Sequence, residues 1–590
     1  MALEIDMIPI SFKFKPRVAY STAIALVLLL LLPMHARSAN TTGNSTSSAQ
    51  PNAGSLQQQI DRQKELELNQ LKIFPLKELE STEPAKSPSG PFVTIKEFKF
   101  VGNKIYTSNQ LSALLDSYTG HPIQFSDLQG AASKVADFYR QSGWVVKASL
   151  PTQDIVYGVV TIQIIESTFG GVKFDSEASK KVNLIRIAST IYSAQTPGAP
   201  LNAKSIERGL ALANELGGVS VQGNFIEGRV EGQTDLIVTV SDMARVTGEV
   251  AFDNTGARST GSNRMTTNLS LHSPMGMGDS ANLYAISTAG SEYVRISESL
   301  PLGYSGAKMG FNASYLNYRL VAQDFASLNA NGTSSTYGLE SSFPFVKTRS
   351  SALVGILNVD RKHYLNNSQG VVSSDYTNTP ITIGLNGSNS DGALWGGRNS
   401  GSLTLSAGGI NLSRSPNQAT DASTTKTAGQ YTKSRYFISR EQELPVGFSI
   451  YSSLNGQWTN RNLDSSEKFF LGGVSGVRAY PTSEAGGSLG QLGTIEIRNH
   501  FWGGLTLTGF YDYGRVLINP DNNFSGASAL NQYALKGAGL AVSYQANSGA
   551  SIKATVAKRM GDNPNPTSTG LDQDGSLVKS RLWLNANLPF

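Results

Sequence analysis

The chain of 590 residues contains no cysteine. Disulfide scaffolds and thiolate metal sites are therefore excluded, although this absence does not identify the cell compartment. Charged residues make up only 16% of the chain, below the roughly 25% of typical soluble proteins. The net charge of +5, smaller still without the N-terminal segment, does not indicate a nucleic-acid partner.

Long apolar runs are also missing beyond the first 32 residues. No later segment approaches the roughly 20 consecutive apolar residues of a membrane-spanning helix. A mature chain held in a membrane would have to be a β-barrel, because only helices and closed barrels satisfy every backbone polar group in lipid. The length of the chain indicates several structural units.

Residues 1–39 have the order of an export signal peptide. Basic residues between Lys13 and Arg17 precede the apolar run Val18–Leu32, and small residues follow up to Ala39. The alternative is a membrane anchor, for which the run is shorter than the roughly 20 residues required. We therefore expect export, with cleavage near residue 39.

Residues 40–91 are expected to be a linker that carries one helix, 56–71. The segment before this helix is rich in Ser, Thr and Asn, and several prolines follow it. Apolar residues in the helix are too sparse for a packed core. Such a helix either lies in solvent or occupies a water-filled channel, where it would act as a plug.

Two consecutive segments, 92–167 and 168–242, repeat the order β-α-α-β-β and are predicted to be small α+β domains. In the first, Ser108 and Ser126 are expected to cap the two helices. In the second, the helices are expected at 181–192 and 205–216.

Helical periodicity disappears from residue 244 onward. Alternating segments predict about sixteen antiparallel strands that form a transmembrane barrel over 244–590. The predicted strands start near residues 245, 263, 280, 292, 308, 335, 350, 378, 401, 431, 447, 491, 504, 535, 550 and 580. A soluble β-sandwich also alternates and is the competing interpretation.

Three features favour the barrel. The strand number is even, short and long connections tend to alternate, and the last strand alternates from Leu582 to a terminal aromatic residue, Phe590. We interpret Phe590 as a barrel-closing signal. An even number of strands places both barrel ends on one side, and about sixteen strands enclose a lumen wide enough for water.

This order of elements resembles the outer-membrane transporters of two-partner secretion, of the haemolysin and haemagglutinin secretion-activation type. They belong to a superfamily whose periplasmic repeats are called POTRA domains, and the likeness covers nearly the whole mature chain. It implies two POTRA domains in the periplasm that bind a large secreted exoprotein, and a barrel through which this partner passes. It also implies a monomeric pore in the outer-membrane lipid of a Gram-negative bacterium, inserted by the barrel-assembly machinery.

A long predicted loop, 461–489, carries the sharpest local likeness. The family has a Val-Arg-Gly-Tyr motif in an outer loop that folds into the lumen, and this chain has Val477, Arg478, Ala479 and Tyr480. Ala for Gly raises a question about the turn, because Ala tolerates positive φ poorly. The resemblance also implies an inward aspartate on the thirteenth strand, which fits Asp512.

Strand parity agrees with that assignment. Leu505, Leu507 and Tyr511 would face lipid, which turns Asp512 into the lumen. We predict an ion pair between Arg478 and Asp512 that holds the loop inside the barrel. The competing interpretation is a solvated loop arginine.

Enzymatic chemistry is not expected. Gly486–Gly490 matches the G-x-S-x-G pattern, but that motif needs a strand-turn-helix elbow with His and acid partners. The five histidines form no ligand spacing, and neither a phosphate-binding loop nor a zinc motif is present. We expect no catalytic residue, cofactor or metal.

Three other functions compete with secretion. A barrel-insertion factor of the same superfamily usually carries three or more POTRA repeats, and this chain has room for two. A passive porin would not need POTRA domains, and a soluble secreted adhesin would not need the terminal aromatic strand.

Overall fold

The structure is a computed structural model that describes residues 51–68, 92–175, 179 and 181–590. The predicted signal peptide, residues 1–39, and most of the predicted linker lie outside the described residues. None of the helices in the described ranges is long and apolar enough to cross a membrane.

Helix α1 spans Ala53–Leu68, so it begins three residues before the predicted segment 56–71. The prediction for residues 69–71 lies outside the described residues. The helix is polar over most of its surface, as its sequence indicates, and it lies inside the barrel.

The first small domain contains a three-stranded sheet with the order β2-β5-β4, covered by two helices. Strands β2 and β5 are parallel, and β4 is antiparallel to β5. Its elements are β1 Val93–Thr94, β2 Glu97–Val101, α2 Ser108–Leu114, β3 Pro122–Ile123, α3 Phe125–Gln141, β4 Val146–Ser149 and β5 Val159–Glu166.

The predicted helix caps in this domain are wrong by one or two residues. The side chain of Thr107, not Ser108, accepts the backbone N–H of Gln110, and Gln124, not Ser126, is the N-cap of α3. In both cases a capping box with the third helical residue fixes the start of the helix, so α2 begins one residue and α3 two residues earlier than the predicted serine caps require.

The second small domain repeats this topology. Its sheet has the order β6-β8-β7, in which β6 and β8 are parallel, and Asn183 and Asn202 cap its helices. Its elements are β6 Thr168–Phe174, α4 Leu184–Ala194, α5 Ala203–Ala213, β7 Val219–Glu227 and β8 Gln233–Asp242. A single residue, Ser167, joins the two domains.

The rest of the chain forms a closed antiparallel barrel. Strands β16 and β17 are two parts of one wall strand, because both pair with β15, so the wall has sixteen strands as predicted. The elements are β9 Val246–Asp253, β10 Arg264–His272, β11 Ser280–Ser287, β12 Ser291–Leu302, β13 Ala307–Arg319, β14 Asn331–Lys347, β15 Ser351–Ser368, β16 Val371–Asn378, β17 Ile381–Asp391, β18 Gly397–Asn411, α6 Gln418–Ser423, β19 Gly429–Glu443, β20 Phe448–Thr459, β21 Phe469–Leu471, β22 Ala485–Gly487, β23 Leu489–His500, β24 Leu505–Leu517, β25 Gln532–Gln545, β26 Ser551–Arg559 and β27 Ser580–Pro589. Strands β21 and β22 pair with each other and stand apart from the wall.

The eighth wall strand departs from the prediction. It begins at Val371, stops at Asn378 and resumes at Ile381, whereas the sequence predicts a start near residue 378. Pro380 interrupts the ladder, because proline has no backbone N–H to donate.

The barrel has two unlike rims. Connections on the proximal rim, which carries the small domains, are short, and those on the distal rim include the long segments 412–428 and 460–488. The outer surface is apolar along alternate residues of each strand, and Ile495 and Ile497 are examples. This is the alternation that the sequence predicts for a lipid-facing wall.

The barrel closes where β27 pairs with β9 along five residues. Beyond this ladder, Phe590 exchanges two backbone hydrogen bonds with Gly248, of 2.9 and 3.0 Å. At the other end, the Asn254 side chain accepts the N–H of Leu584 and donates to the carbonyl of Leu582. The seam is therefore short, but hydrogen bonds extend it at both ends. The role of Phe590 in barrel assembly stays a prediction.

The second small domain is fixed to the proximal rim by charged contacts. The guanidinium of Arg208 donates to the carbonyl of Pro344 at 2.7 Å, and Glu215 forms ion pairs with Lys347 and Lys308. Burial favours the neutral acid, but the two lysines hold the pKa of Glu215 below its ordinary value. The domain is thereby held against the connections after β12 and β14.

Candidate functional site in the barrel lumen

The connection 460–488, here called the inner loop, fills part of the lumen. It leaves β20 at the distal rim, forms the β21–β22 hairpin and returns to β23. Its buried apolar side chains pack on the wall strands β23 to β26. They are Phe469, Leu471, Val477, Ala479, Tyr480 and Ala485.

Arg478 and Asp512 form the predicted ion pair. The Nε and Nη2 atoms of Arg478 donate to the two oxygens of Asp512 at 2.9 and 2.7 Å, which is a bidentate contact. The backbone N–H of Arg478 also donates to Asp512 at 3.1 Å. Both side chains are buried, so removal of Arg478 leaves the Asp512 carboxylate without its ion-pair partner.

Arg478 has a second carboxylate partner, Glu496 on β23. Its Nη1 donates to Glu496 at 2.7 Å, and Glu496 also accepts from Arg498 on the same strand. Arg498 in turn pairs with Glu441 on β19 at 2.8 Å. The loop arginine is therefore the innermost cation of an alternating charge network that spans several wall strands.

Two aromatic residues also contact Arg478. The guanidinium carbon lies 3.4 Å from the centroid of the Phe510 ring. The indole of Trp583, on the closing strand β27, donates to the carbonyl of Arg478 at 2.8 Å. The inner loop is thus joined both to the middle of the wall and to its closing strand.

Ala479 fits without a left-handed backbone, which answers the question raised by the family's glycine at this position. The residues with positive φ in the described chain do not include Ala479. The space for its methyl group comes from Gly537 on β25, where a Cβ would lie 2.5 Å from the Ala479 Cβ. Alanine can therefore replace the family's glycine at position 479 because the facing wall residue, Gly537, has no side chain.

The inner loop also contacts the last distal connection, 560–579. The guanidinium of Arg559 stacks on the ring of Tyr480 and forms a buried ion pair with Asp572. Glu484 accepts from the side chain of Asn563 and from the backbone N–H of Gln573. Burial, together with nearby Asp572, raises the pKa of Glu484 to about 8.

Helix α1 also lies in the lumen and forms two ion pairs with the wall. Asp61 contacts Lys362 on β15 at 2.7 Å, and Glu65 contacts Arg435 on β19 at 3.3 Å. Burial favours the neutral acid, but Lys362 and the amide of Gln57 hold the pKa of Asp61 below its ordinary value. These pairs lie on one side of the helix, four residues apart.

The other contacts of α1 are made with the inner loop and with nearby wall strands. Arg62 lies 4.0 Å above the ring of Phe469 and donates to Asn455 of β20 at 2.6 Å. At the start of the helix, Ser465 donates to Asn52 at 3.0 Å, and Gly54 lies close to Tyr376. Helix and inner loop therefore lie in the lumen as two parts in direct contact.

The G-x-S-x-G segment has a structural role. Ser488 is buried, donates to the carbonyl of Ile518 and accepts the N–H of Leu463. A wall strand, not a helix, follows it. Within the ranges that the structure describes, no three His, Cys, Asp or Glu side chains are grouped so that they could hold a metal ion.

The sequence predicts the Arg478–Asp512 pair but not the other residues that contact Arg478. Strand parity along β23 also turns Glu496 into the lumen, because Ile495 and Ile497 face lipid, but it does not show that Glu496 binds Arg478. Parity along β27 also turns Trp583 inward, because Leu582 and Leu584 face lipid, so this signal was available. The partners of α1 carried no sequence signal, since their contacts depend on where the helix lies.

Comparison with known proteins gives a consistent result. The family model "Haemolysin secretion/activation protein ShlB/FhaC/HecB" matches residues 232–544, and the ShlB-type POTRA domain matches residues 93–167. The heme/hemopexin transporter protein HuxB of Haemophilus influenzae is 27% identical over 473 residues, which cover 78% of this chain and 82% of the relative. The outer membrane transporter CdiB of Dickeya dadantii is 25% identical, covering 74% and 79%.

Solved structures share the fold. CdiB from Escherichia coli superposes with a TM-score of 0.70 at 18% identity, covering 92% of this chain and all of that chain. CdiB from Acinetobacter baumannii gives a TM-score of 0.64 at 15% identity, with the same coverage.

The contact between Ala479 and Gly537 can be tested by exchange. Gly537→Ala should destabilise the folded barrel by roughly 1–3 kcal/mol, because the new methyl group collides with that of Ala479. Adding Ala479→Gly should restore most of this loss. The measurement is the temperature at which the purified barrel unfolds, followed by gel mobility.

Gly493→Ala is the matched control, because the nearest atoms to its added Cβ lie 3.9 Å away or more. This variant should unfold at the wild-type temperature. A double variant that is no more stable than Gly537→Ala alone would contradict the proposed fit.

Proposed function

Since the chain belongs to the ShlB/FhaC/HecB family of haemolysin secretion/activation proteins, it is an outer-membrane transporter that secretes a partner exoprotein, and we propose that the Arg478 site controls its pore. The leading interpretation of the sequence is thereby confirmed. The two small domains are POTRA domains in the periplasm, so the proximal rim is periplasmic and the distal rim faces outward.

The observation that carries the proposal is the bidentate contact between Arg478 and Asp512, buried inside the lumen. Breaking a buried ion pair by removal of one partner costs about 3–5 kcal/mol. The pair therefore strongly favours one position of the inner loop. In that position the loop occupies the space through which an exoprotein would pass.

Helix α1 is the second barrier, and we propose that it is a plug. Its first turns, at Ala53 and Leu56, pack on an apolar cluster of the wall. Its later contacts with the wall are polar, so they can be exchanged for contacts with another chain in the same polar lumen. A loose periplasmic helix is the alternative interpretation. The position of α1 between β15, β19 and the inner loop supports the plug.

We propose that the exoprotein arrives unfolded and adds a strand to an open edge of a POTRA sheet. The strand order places β2 at an edge of the first sheet and β7 at an edge of the second. The other two edges are partly covered where the domains meet, because Val145 and Phe169 donate to Leu201 and Ala199. No nucleotide-binding motif occurs in the sequence, and folding outside the cell would drive export.

Secretion should depend on both partners of the buried pair. Arg478→Ala and Asp512→Asn are each expected to lower the exoprotein in the medium about tenfold or more, since each removes the buried bidentate contact that positions the inner loop. Arg478→Lys should rescue little, because an ammonium cannot make the forked contact. Exoprotein is measured in barrels of equal abundance.

Arg515→Ala is the matched control, because Arg515 lies on the same strand as Asp512 but on its other face. It should secrete normally. If Arg478→Ala and Asp512→Asn both secrete at the wild-type level, at normal barrel abundance, the Arg478 site does not control the pore.

The plug predicts a change in conductance. Gly54→Val should raise the single-channel conductance, because a Cβ there would lie 2.6 Å from the Tyr376 hydroxyl and displace the start of α1. Deletion of 53–68 should raise it further. Purified channels in planar bilayers give the measurement.

Gly392→Val is the control for that experiment, since nothing lies within 4 Å of its added Cβ. It should conduct as the wild type does. If deletion of 53–68 leaves conductance unchanged, α1 is no plug.

Strand addition predicts where the exoprotein is captured. A photo-crosslinking residue at Lys99 on β2 or at Gln222 on β7 should form adducts with the exoprotein during secretion. The same residue at Asp137, on the exposed surface of α3, serves as the control. Equal adduct yields at all three positions would argue against capture at a sheet edge.

A further inference from the structure

One cavity beside α1, of about 330 Å³, is lined by an unusual number of charges. The barrel wall contributes more bases than acids to it. The wall bases are Arg295, Lys308, Lys362, Lys433 and Arg435, and the acids on the wall and the inner loop are Glu340, Asp360 and Glu467.

Most of these bases have carboxylate partners outside the plug. Arg295 pairs with Glu340, Lys433 pairs with Glu467 of the inner loop, and Lys308 pairs with Glu215 of the second POTRA domain. These pairs stay in place whatever α1 does.

Lys362 and Arg435 differ from the other bases. Within the described part of the chain, their ion-pair partners are Asp61 and Glu65, both on the plug. The Nη2 atom of Arg435 is buried and has no hydrogen-bond partner among the described residues. Departure of the plug would remove the direct ion-pair partner of both cations, and Glu467 of the inner loop would remain as a more distant counter-charge.

The spacing of these two cations suits an extended chain as well as a helix. Asp61 and Glu65 are four residues apart, which corresponds to about 6 Å along a helix. In an extended chain, residues two apart are separated by about 6.6 Å. A segment with acidic side chains at alternate positions could therefore meet the same two cations while it is unfolded.

We propose that Lys362 and Arg435 form a binding site for acidic segments of the unfolded exoprotein, and that Asp61 and Glu65 of the plug occupy this site at rest. The inference deepens the proposed function and rests on passage of the exoprotein through the lumen. An acidic segment that binds these two cations replaces Asp61 and Glu65, and this exchange releases the plug.

Block of the open channel by a synthetic acidic peptide tests this site. Poly-L-glutamate is added on the POTRA side of full-length channels in planar bilayers, and block is measured on open events. The plug variant Asp61→Asn/Glu65→Gln should open more often and be blocked readily, because it frees both cations. The wall variant Lys362→Gln/Arg435→Gln should also open more often but need at least tenfold more peptide.

Two controls accompany the wall variant. Arg361→Gln removes a cation from the same strand as Lys362 but on its other face, and it should be blocked as the wild type is. Poly-L-lysine should not block the plug variant. Gel mobility of the unheated protein confirms that each variant forms a barrel.

Equal sensitivity of the plug and wall variants to poly-L-glutamate would overturn the inference. That result would leave the proposed function intact if Arg478→Ala still lowers secretion of the exoprotein about tenfold in the separate secretion assay. Loss of block in the wall variant alone supports the acidic-segment site.

Discussion

Closure of the strand ladder is the constraint on which the rest of the structure depends. In lipid, every wall N–H and C=O must pair with a neighbouring strand, so β27 has to return to β9. The seam is only five pairs long, and the backbone of Phe590 and the side chain of Asn254 extend it at its two ends. Because side chains alternate along a strand, every second residue faces lipid and the residues between them line a polar lumen.

A polar lumen of this width cannot be filled by a hydrophobic core alone. Besides apolar packing, ion pairs hold both parts that fill it, the inner loop on Asp512 and Glu496, and α1 on Lys362 and Arg435. A buried ion pair resists loss of one partner but accepts an equivalent partner. This property suits a channel that has to be sealed at rest and still be opened by a polypeptide.

Much of the architecture was predictable from sequence, because alternation and helical periodicity are local signals. Sixteen wall strands and the Arg478–Asp512 pair followed from strand parity together with a family resemblance. Local signals failed where two candidates compete within a few residues, as at the helix caps, where Thr107 and Gln124 precede the predicted serines. They also failed at Pro380, because the eighth wall strand begins before this break, at Val371, and not near residue 378 as predicted.

The sequence by itself determined which residues face lipid and which face the lumen, because the side-chain period of a strand is fixed at two. It also marked α1 as a helix with too little apolar surface for a core. Only the tertiary structure decided the partners across the lumen, such as Lys362 for Asp61 and Gly537 for Ala479, which are far apart in the chain. Those contacts depend on barrel diameter and on the path of the inner loop, which no local pattern encodes.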